Sequence, residues 1–281
     1  MAAIKLAIVS ETDKTKFVTT PSFKDHFAAV SDAYAGFRPS YPPALFDWLA
    51  EIAPARRLAW DCACGSGQAS IDLAKRFERV VGTDASAKQL AGARPHPCVE
   101  YRVAPAEASG LPDASVDLIT VAQALHWFDL PRFYAEARRV LKPSGVLAVW
   151  SYGIQTVAGD EVNALVQRFY HETLGAYWPP ERKLVEEGYL TIDFPFAEFN
   201  APAFEMSVHW SMGQLLGYFS SWSATGCYIQ ARGENPVAAL AAEMASAWGN
   251  IEEKRQVAWP LAVRAGRNYQ EDNAPRATTD G

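Results

Sequence analysis

The chain has 281 residues, 49% hydrophobic and 21% charged, which excludes disordered and fibrous classes and suits one large α/β domain with an insertion or cap. A net charge of −6 supplies no broad basic field for a phosphate backbone, so nucleic acid is not an expected partner. No apolar run reaches the roughly 18 residues of a bilayer span, and no signal-peptide pattern opens the chain, so a cytoplasmic protein without a membrane partner is expected.

In chain order, residues 1–22 read as an extension of uncertain order. Phe23, Phe27, Val30 and Tyr34 then recur at helical spacing until Gly36 and Pro39 end the pattern, and a second helix is expected over Pro43–Ile52. Apolar runs at "RLAWDCA", "RVVGTD", "VEYRV", "VDLITVAQAL" and "GVLAVWSY" follow as strands, separated by helical stretches such as "SIDLAKRF" and "RFYAEARRVL". That alternation implies a parallel sheet covered on both faces. Past residue 151 the rhythm breaks. A helix near Glu161–Leu174, the loop "YWPPERK", a strand "AFEMSVHWS", and helices in "MGQLLGYFSSWSA" and "VAALAAEMASAWG" are expected there. The run "QVAWPLAVRAGR" reads as a final strand, with Pro260 demanding an edge or a bulge.

Cys62 and Cys64 form a C-x-C pair too close for an ordinary disulfide, and read as small residues packed under a turn. The five histidines are scattered singly, so no metal is expected. The stretch "WDCACGSGQAS" sits where a strand gives way to a helix, the place where open α/β sheets bind ligands. Gly65 and Gly67 allow a sharp bend and close approach of a ligand. Asp84 ends the next strand, 19 residues after Gly65, where a carboxylate accepts from ribose hydroxyls. An adenosine-type ligand follows. A dinucleotide loop needs a third glycine, but Ser70 stands there, and Asp61 at the head of the loop repels a pyrophosphate while suiting an ammonium and a sulfonium. S-adenosylmethionine fits that description; an NAD-dependent oxidoreductase, or a protein that binds S-adenosylmethionine without turnover, are the alternatives.

"DCACGSG", "VVGTDAS", "APAEASGLPDASVDLITVAQALHWFD" and "VLKPSGVLAVW", spread over about residues 25–152, resemble the class I S-adenosylmethionine-dependent methyltransferases. The likeness is greatest to the small-molecule branch that includes trans-aconitate methyltransferase-like enzymes. It implies a seven-stranded, mostly parallel, doubly wound Rossmann-like sheet over residues 23–281, with an N-terminal helical cap and an inserted helical lid at about 153–255. It also implies that Asp61, Cys62, Ala63, Gly65 and Gly67 line the methionine end, that Asp84 and Ala85 hold the ribose, and that Ala106 and Glu107 edge the adenine. Gln123 falls near the methionine amine. Tyr34, Arg38 and Tyr41 belong to a corner that folds over the pocket, with Arg38 suited to a carboxylate. Two positions depart from the pattern: Ala63 replaces a first glycine, and Pro105 replaces an aspartate on the adenine amine.

The reaction implied is in-line methyl transfer to a small molecule, on oxygen, nitrogen or carbon. His126 and Trp127 follow the fourth strand at the edge where acceptor meets methyl group. His126 is the candidate base for a hydroxyl or amine, whereas a carboxylate acceptor needs none. Trp127 offers a face to substrate or sulfonium. His209, Tyr218 and Trp222, in the segment that leaves the sheet rhythm, are candidate substrate-pocket walls, as Tyr41 is from the N-terminal side. Monomer and homodimer both fit.

Overall fold

The computed structural model describes residues 39–269; the helix expected over 23–36, with Tyr34, and the neighbouring Arg38 lie outside the described residues. Helix α1 (Pro43–Ile52) opens on Pro43, where a missing N–H costs nothing, and turns Leu45, Phe46, Leu49 and Ala50 inward. Strands β1 (Leu58–Cys62), β2 (Arg79–Asp84), β3 (Val99–Val103), β4 (Val116–Ala122) and β5 (Leu141–Ser151) are parallel, in the spatial order β3-β2-β1-β4-β5. Helices α2 (Gln68–Leu73), α3 (Ala87–Ala91) and α4 (Leu130–Val140) lie in the crossovers.

Successive side chains of a strand face opposite sides of its sheet, and along the central strands β1 and β4 both sides are dry. Leu118, Val146, Ala148 and Trp150 join the core cluster of α1, while Ile119, Val121, Leu147 and Val149 join Phe133, Ala137 and Val140 of α4. This double burial is why the strands read as continuous apolar runs. From β1 the chain moves outward to β2 and β3, then returns past β1 to β4, so the carboxyl ends of β1 and β4 flank a topological switch point.

The segment after Ser151 contributes β6 (Thr156–Val157), α5 (Asp160–Arg168), α6 (Arg182–Glu186), β7 (Ala197–Glu198), β8 (Phe204–Trp210), α7 (Met212–Ser220), α8 (Ser223–Arg232) and α9 (Pro236–Trp248) before the long β9 (Arg255–Arg267). Among the described residues seven strands lie on one hydrogen-bonded path, β3-β2-β1-β4-β5-β9-β6, and β7 and β8 add two more by pairing with β9. β9 is antiparallel to β5 from Ala262 to Arg267 and to β6 at Val257 and Ala258. Pro260 falls between those two stretches, exposed, and pairs only with Glu205 of β8, so its missing N–H breaks no ladder on the open side.

Two sequence expectations are corrected here and one, the helix over 161–174, is met with a change in its last turn. The single helix expected over 212–224 is two, broken at Ser221 and Trp222, where the Ser221 hydroxyl donates to the Tyr218 carbonyl (2.6 Å) and competes with the helix ladder. The helix expected over 161–174 continues beyond α5 as a π-helical turn, Phe169–Thr173. The fourth strand stops at Ala122 rather than Leu125, because Gln123 turns left-handed with φ 57°.

Asp117 holds the amino edge of the sheet. Its buried carboxylate accepts from the Arg57 and Leu58 N–H groups (3.0 and 2.9 Å) and from Lys142 Nζ (2.7 Å). Lys142→Met leaves that carboxylate without its countercharge. Unfolding in urea is expected to lose about 2 kcal/mol, less than for a sealed pair because the Lys142 side chain is 28% exposed. A midpoint unchanged from wild type contradicts this role.

Candidate functional site

At the end of β1 the backbone bends through three left-handed residues in five positions, Ala63 (φ 55°), Gly65 (φ 56°) and Gly67 (φ 78°). Ala63 takes this conformation despite its methyl group, which is the physical reason a glycine suits the position. The Cys64 N–H donates to the Thr83 carbonyl and the Gly67 N–H to the Cys64 carbonyl, both at 2.9 Å, so the loop curls back over β2. Asp84 ties it down: its carboxylate accepts from the Gly65 N–H (2.9 Å) and the Ser86 N–H (2.8 Å). The cap of α3 is the Ser86 side chain, so Asp84 is not simply a helix cap.

Asp61 is buried in β1 beneath this loop. One oxygen accepts from the Ser70 hydroxyl (2.5 Å), the other from the Thr120 hydroxyl on β4 (3.0 Å). Burial raises its pKa from 3.8 to about 6 against the pull of those bonds. Burial also raises the pKa of Asp84.

Across the switch point, the Gln123 N–H donates to the Trp150 carbonyl and its Nε2 to the Tyr152 carbonyl (2.9 Å for each). His126 sits in a 3-10 turn, Leu125–Trp127, its Nδ1 hydrogen-bonded to the Tyr189 hydroxyl (2.9 Å) and its ring 4.6 Å from that of Trp127. Burial, aided by the Arg182 charge, lowers the His126 pKa to about 4. Tyr189 is itself fixed from below, since Arg264 donates to the carbonyls of Tyr189 and Ile192 (2.7 Å each) and pairs with Glu198.

These elements enclose a cavity of about 250 Å³. Ten of the expected residues line it: Tyr41, Asp61, Ala63, Gly65, Asp84, Gln123, His126, Trp127, Tyr218 and Trp222. Six others do not. Cys62 packs in the core below the sheet, and Ala106 joins the same cluster. Glu107 is engaged by the Asp129 N–H (3.0 Å), and Ala85 lies beyond the lining. His209 stands exposed on β8 opposite Gln256. Gly67 faces Tyr101, where an added Cβ falls 2.1 Å from the phenol oxygen, whereas a Cβ on Gly65 finds nothing nearer than 3.9 Å. The two glycines therefore differ: Gly65 keeps the cavity open, and Gly67 makes room for a side chain of β3.

The outer wall was not foreseen from sequence. Gln155, Trp178, Arg182 and Val185 complete it, from the segment between β5 and β7. The signal was the "YWPPERK" loop, whose paired prolines stiffen a stretch carrying two aromatic rings and a guanidinium.

Among the described residues no helix is long and apolar enough to cross a membrane, and no group of three His, Cys, Asp or Glu residues is arranged to hold a metal. Residues 60–149 match the family model described as a methyltransferase domain. A protein of Dictyostelium discoideum named as a methyltransferase is 39% identical over 221 residues, covering 77% of this chain and 84% of its own length. A Mycobacterium bovis protein, also named only as a methyltransferase, is 39% identical over 127 residues, covering 44% of this chain and 51% of its own. A solved structure from Anaeromyxobacter dehalogenans, described as a type II methyltransferase, superposes with a TM-score of 0.79 at 52% identity, covering 83% of this chain and 99% of its own. The motifs that frame the cavity lie inside the matched region, and this chain belongs to the class I S-adenosylmethionine-dependent methyltransferases.

Proposed function

We propose that the chain transfers a methyl group from S-adenosylmethionine to a small-molecule acceptor, and that a carboxylate oxygen is the nucleophile the site suits best. The observation that carries the reading is one cavity with two carboxylates, Asp61 and Asp84, on the side of the glycine bend and the His126–Trp127 turn on the other. The residues fit the cofactor: Gly65 leaves space beside the loop, Asp84 has lone pairs left for ribose hydroxyls, and Asp61 brings negative charge under a cation. When bound, S-adenosylmethionine supplies an electrophilic methyl, whose bond to sulfur breaks, leaving the pair on sulfur, as the acceptor's electron pair forms the new bond. The chain's own work is alignment, which can lower such a barrier by about 7–11 kcal/mol when geometry is near attack.

His126 supports a carboxylate over a hydroxyl or amine. With a pKa of about 4 the ring is neutral at pH 7 but a weak proton acceptor, and its Nδ1 is already engaged by Tyr189. An acceptor that arrives ionised needs no base. We read His126 as a neutral wall that orients the acceptor, in place of the base expected from sequence. His126→Ala is expected to keep at least a tenth of wild-type turnover with an unchanged pH profile between 6 and 8; loss of a limb in that range identifies it as the base.

The segment at about 153–255 acts in this reading as the substrate cap, and Tyr34 and Arg38 remain candidate cofactor contacts through the family likeness. The reading also takes the protein as cytoplasmic, monomeric or homodimeric, without nucleic-acid or membrane partners. The test is S-adenosylhomocysteine release with small carboxylic acids, phenols and amines. Release with an acid supports the reading; methylation confined to amines or phenols overturns the carboxylate assignment.

A further inference from the structure

We propose that the acceptor is a monocarboxylate with a flat apolar body, its carboxylate seated on Arg182 with the Gln155 amide as second partner. The proposal rests on the methyl-transfer reading above and narrows its substrate class. Arg182 is the only lysine or arginine among the described residues lining the cavity. Its guanidinium lies over the ring of Trp178 (5.0 Å) and its Nε donates to the Tyr170 hydroxyl (2.6 Å). That hydroxyl also meets Glu186, whose carboxylate lies 3.6 Å from the Arg182 Nε, so the side chain is held in place by its inner edge. The two terminal nitrogens make no hydrogen bond among the described residues, leaving a planar fork matched to a carboxylate.

Gln155 is an independent pointer. The residue is fully buried, lines the same cavity, and neither atom of its side-chain amide has a hydrogen-bond partner among the described residues. A buried amide left unpaired is costly, and a polar ligand group removes the cost. The amino end of the ten-residue helix α8 also opens on this wall at Ser223, with no acidic residue in its first turn and no side-chain cap, which adds partial positive charge. Four flat aromatic side chains, Trp127, Trp178, Trp222 and Tyr218, line the same cavity. With Glu186 beside its Nε, the guanidinium offers one free edge, enough for one carboxylate. A di- or tricarboxylate brings further negative charge toward Asp61 and Asp84 with no second cation among the described lining residues.

The test measures binding to the full chain loaded with S-adenosylhomocysteine, using trans-cinnamate, the neutral cinnamyl alcohol and propane-1,2,3-tricarboxylate as probes. Cinnamate is expected to bind at least tenfold more tightly than either comparison probe. Arg182→Gln is expected to erase the preference over the alcohol, Arg182→Lys to keep part of it, and Gln155→Leu to weaken cinnamate several-fold. S-adenosylhomocysteine affinity should change less than twofold in all three variants. Thermal melting accompanies each variant, and the wild-type comparison stands if one fails to fold. A wild type that favours the alcohol or the tricarboxylate, or an Arg182→Gln variant that keeps the cinnamate preference, overturns the proposal. Failure of wild type to bind S-adenosylhomocysteine overturns the methyl-transfer reading beneath it instead.

Discussion

Asp61→Asn is expected to fold normally and to bind S-adenosylmethionine about 30- to 100-fold more weakly at pH 7.5, the scale of a lost charge-assisted contact in a buried site. The fold survives because the substitution keeps one oxygen and the shape, and the Ser70 and Thr120 hydroxyls can donate or accept. The affinity suffers because the only change is the loss of a negative charge beneath the loop. Wild type has a matching pH dependence. Burial raises the Asp61 pKa to about 6, so the folded chain holds this proton more tightly than an unfolded chain would at the ordinary 3.8. The stability this proton confers is fully present below about 4 and is lost as pH rises through about 6. A cation brought to the site favours the ionised form, so affinity in wild type rises with pH across the same interval, up to tenfold per unit on its acid side, and Asp61→Asn is flat. Calorimetric titration of both proteins from pH 5 to 7.5 checks each part, and equal slopes contradict the role of the carboxylate.

Gly67→Ala is expected to destabilise the chain by about 2–4 kcal/mol, while Gly65→Ala mainly weakens cofactor affinity. At Gly67 a methyl group meets both a left-handed backbone, φ 78°, and the Tyr101 ring, whose Cζ is 2.8 Å away and whose hydroxyl is 2.1 Å away. That hydroxyl donates to the Arg94 carbonyl (3.1 Å), so moving the ring breaks a second contact. Adding Tyr101→Phe should restore only part of the loss, because the ring carbons and the backbone strain remain. At Gly65, φ 56°, the added methyl carries the left-handed strain alone, with no atom nearer than 3.9 Å, but it takes space a ligand needs. Urea unfolding and cofactor affinities, measured on both variants, separate the two effects; a Gly67→Ala unfolding free energy within about 0.5 kcal/mol of wild type removes the packing argument.

The contrast between those glycines marks how far sequence carries. Local patterns were readable because their causes are local: five strand-like runs, the central ones buried on both faces, a strand-to-helix bend rich in small residues, and a carboxylate ending the next strand all announce themselves in short windows. Gly65, Asp61 and Asp84 came together as expected for that reason. Gly67 did not, since its neighbour Tyr101 lies on β3 and only the sheet register brings the two together. His126 was found by position, but its chemistry depends on burial and on Arg182, 56 residues on, neither visible in "QALHWFD". The outer wall was hidden for the same reason. His209 and Trp222 both sit in aromatic stretches, yet strand alternation turns His209 to solvent while the break between α7 and α8 turns Trp222 to the cavity.

Titration of wild type with S-adenosylmethionine and, separately, with a nicotinamide dinucleotide at pH 6 in two buffers of different protonation enthalpy is the most direct test. The account predicts heat with the sulfonium compound alone, and a buffer-dependent component that reports proton release as Asp61 ionises. Tight uptake of the dinucleotide, or sulfonium binding with no proton released, contradicts it.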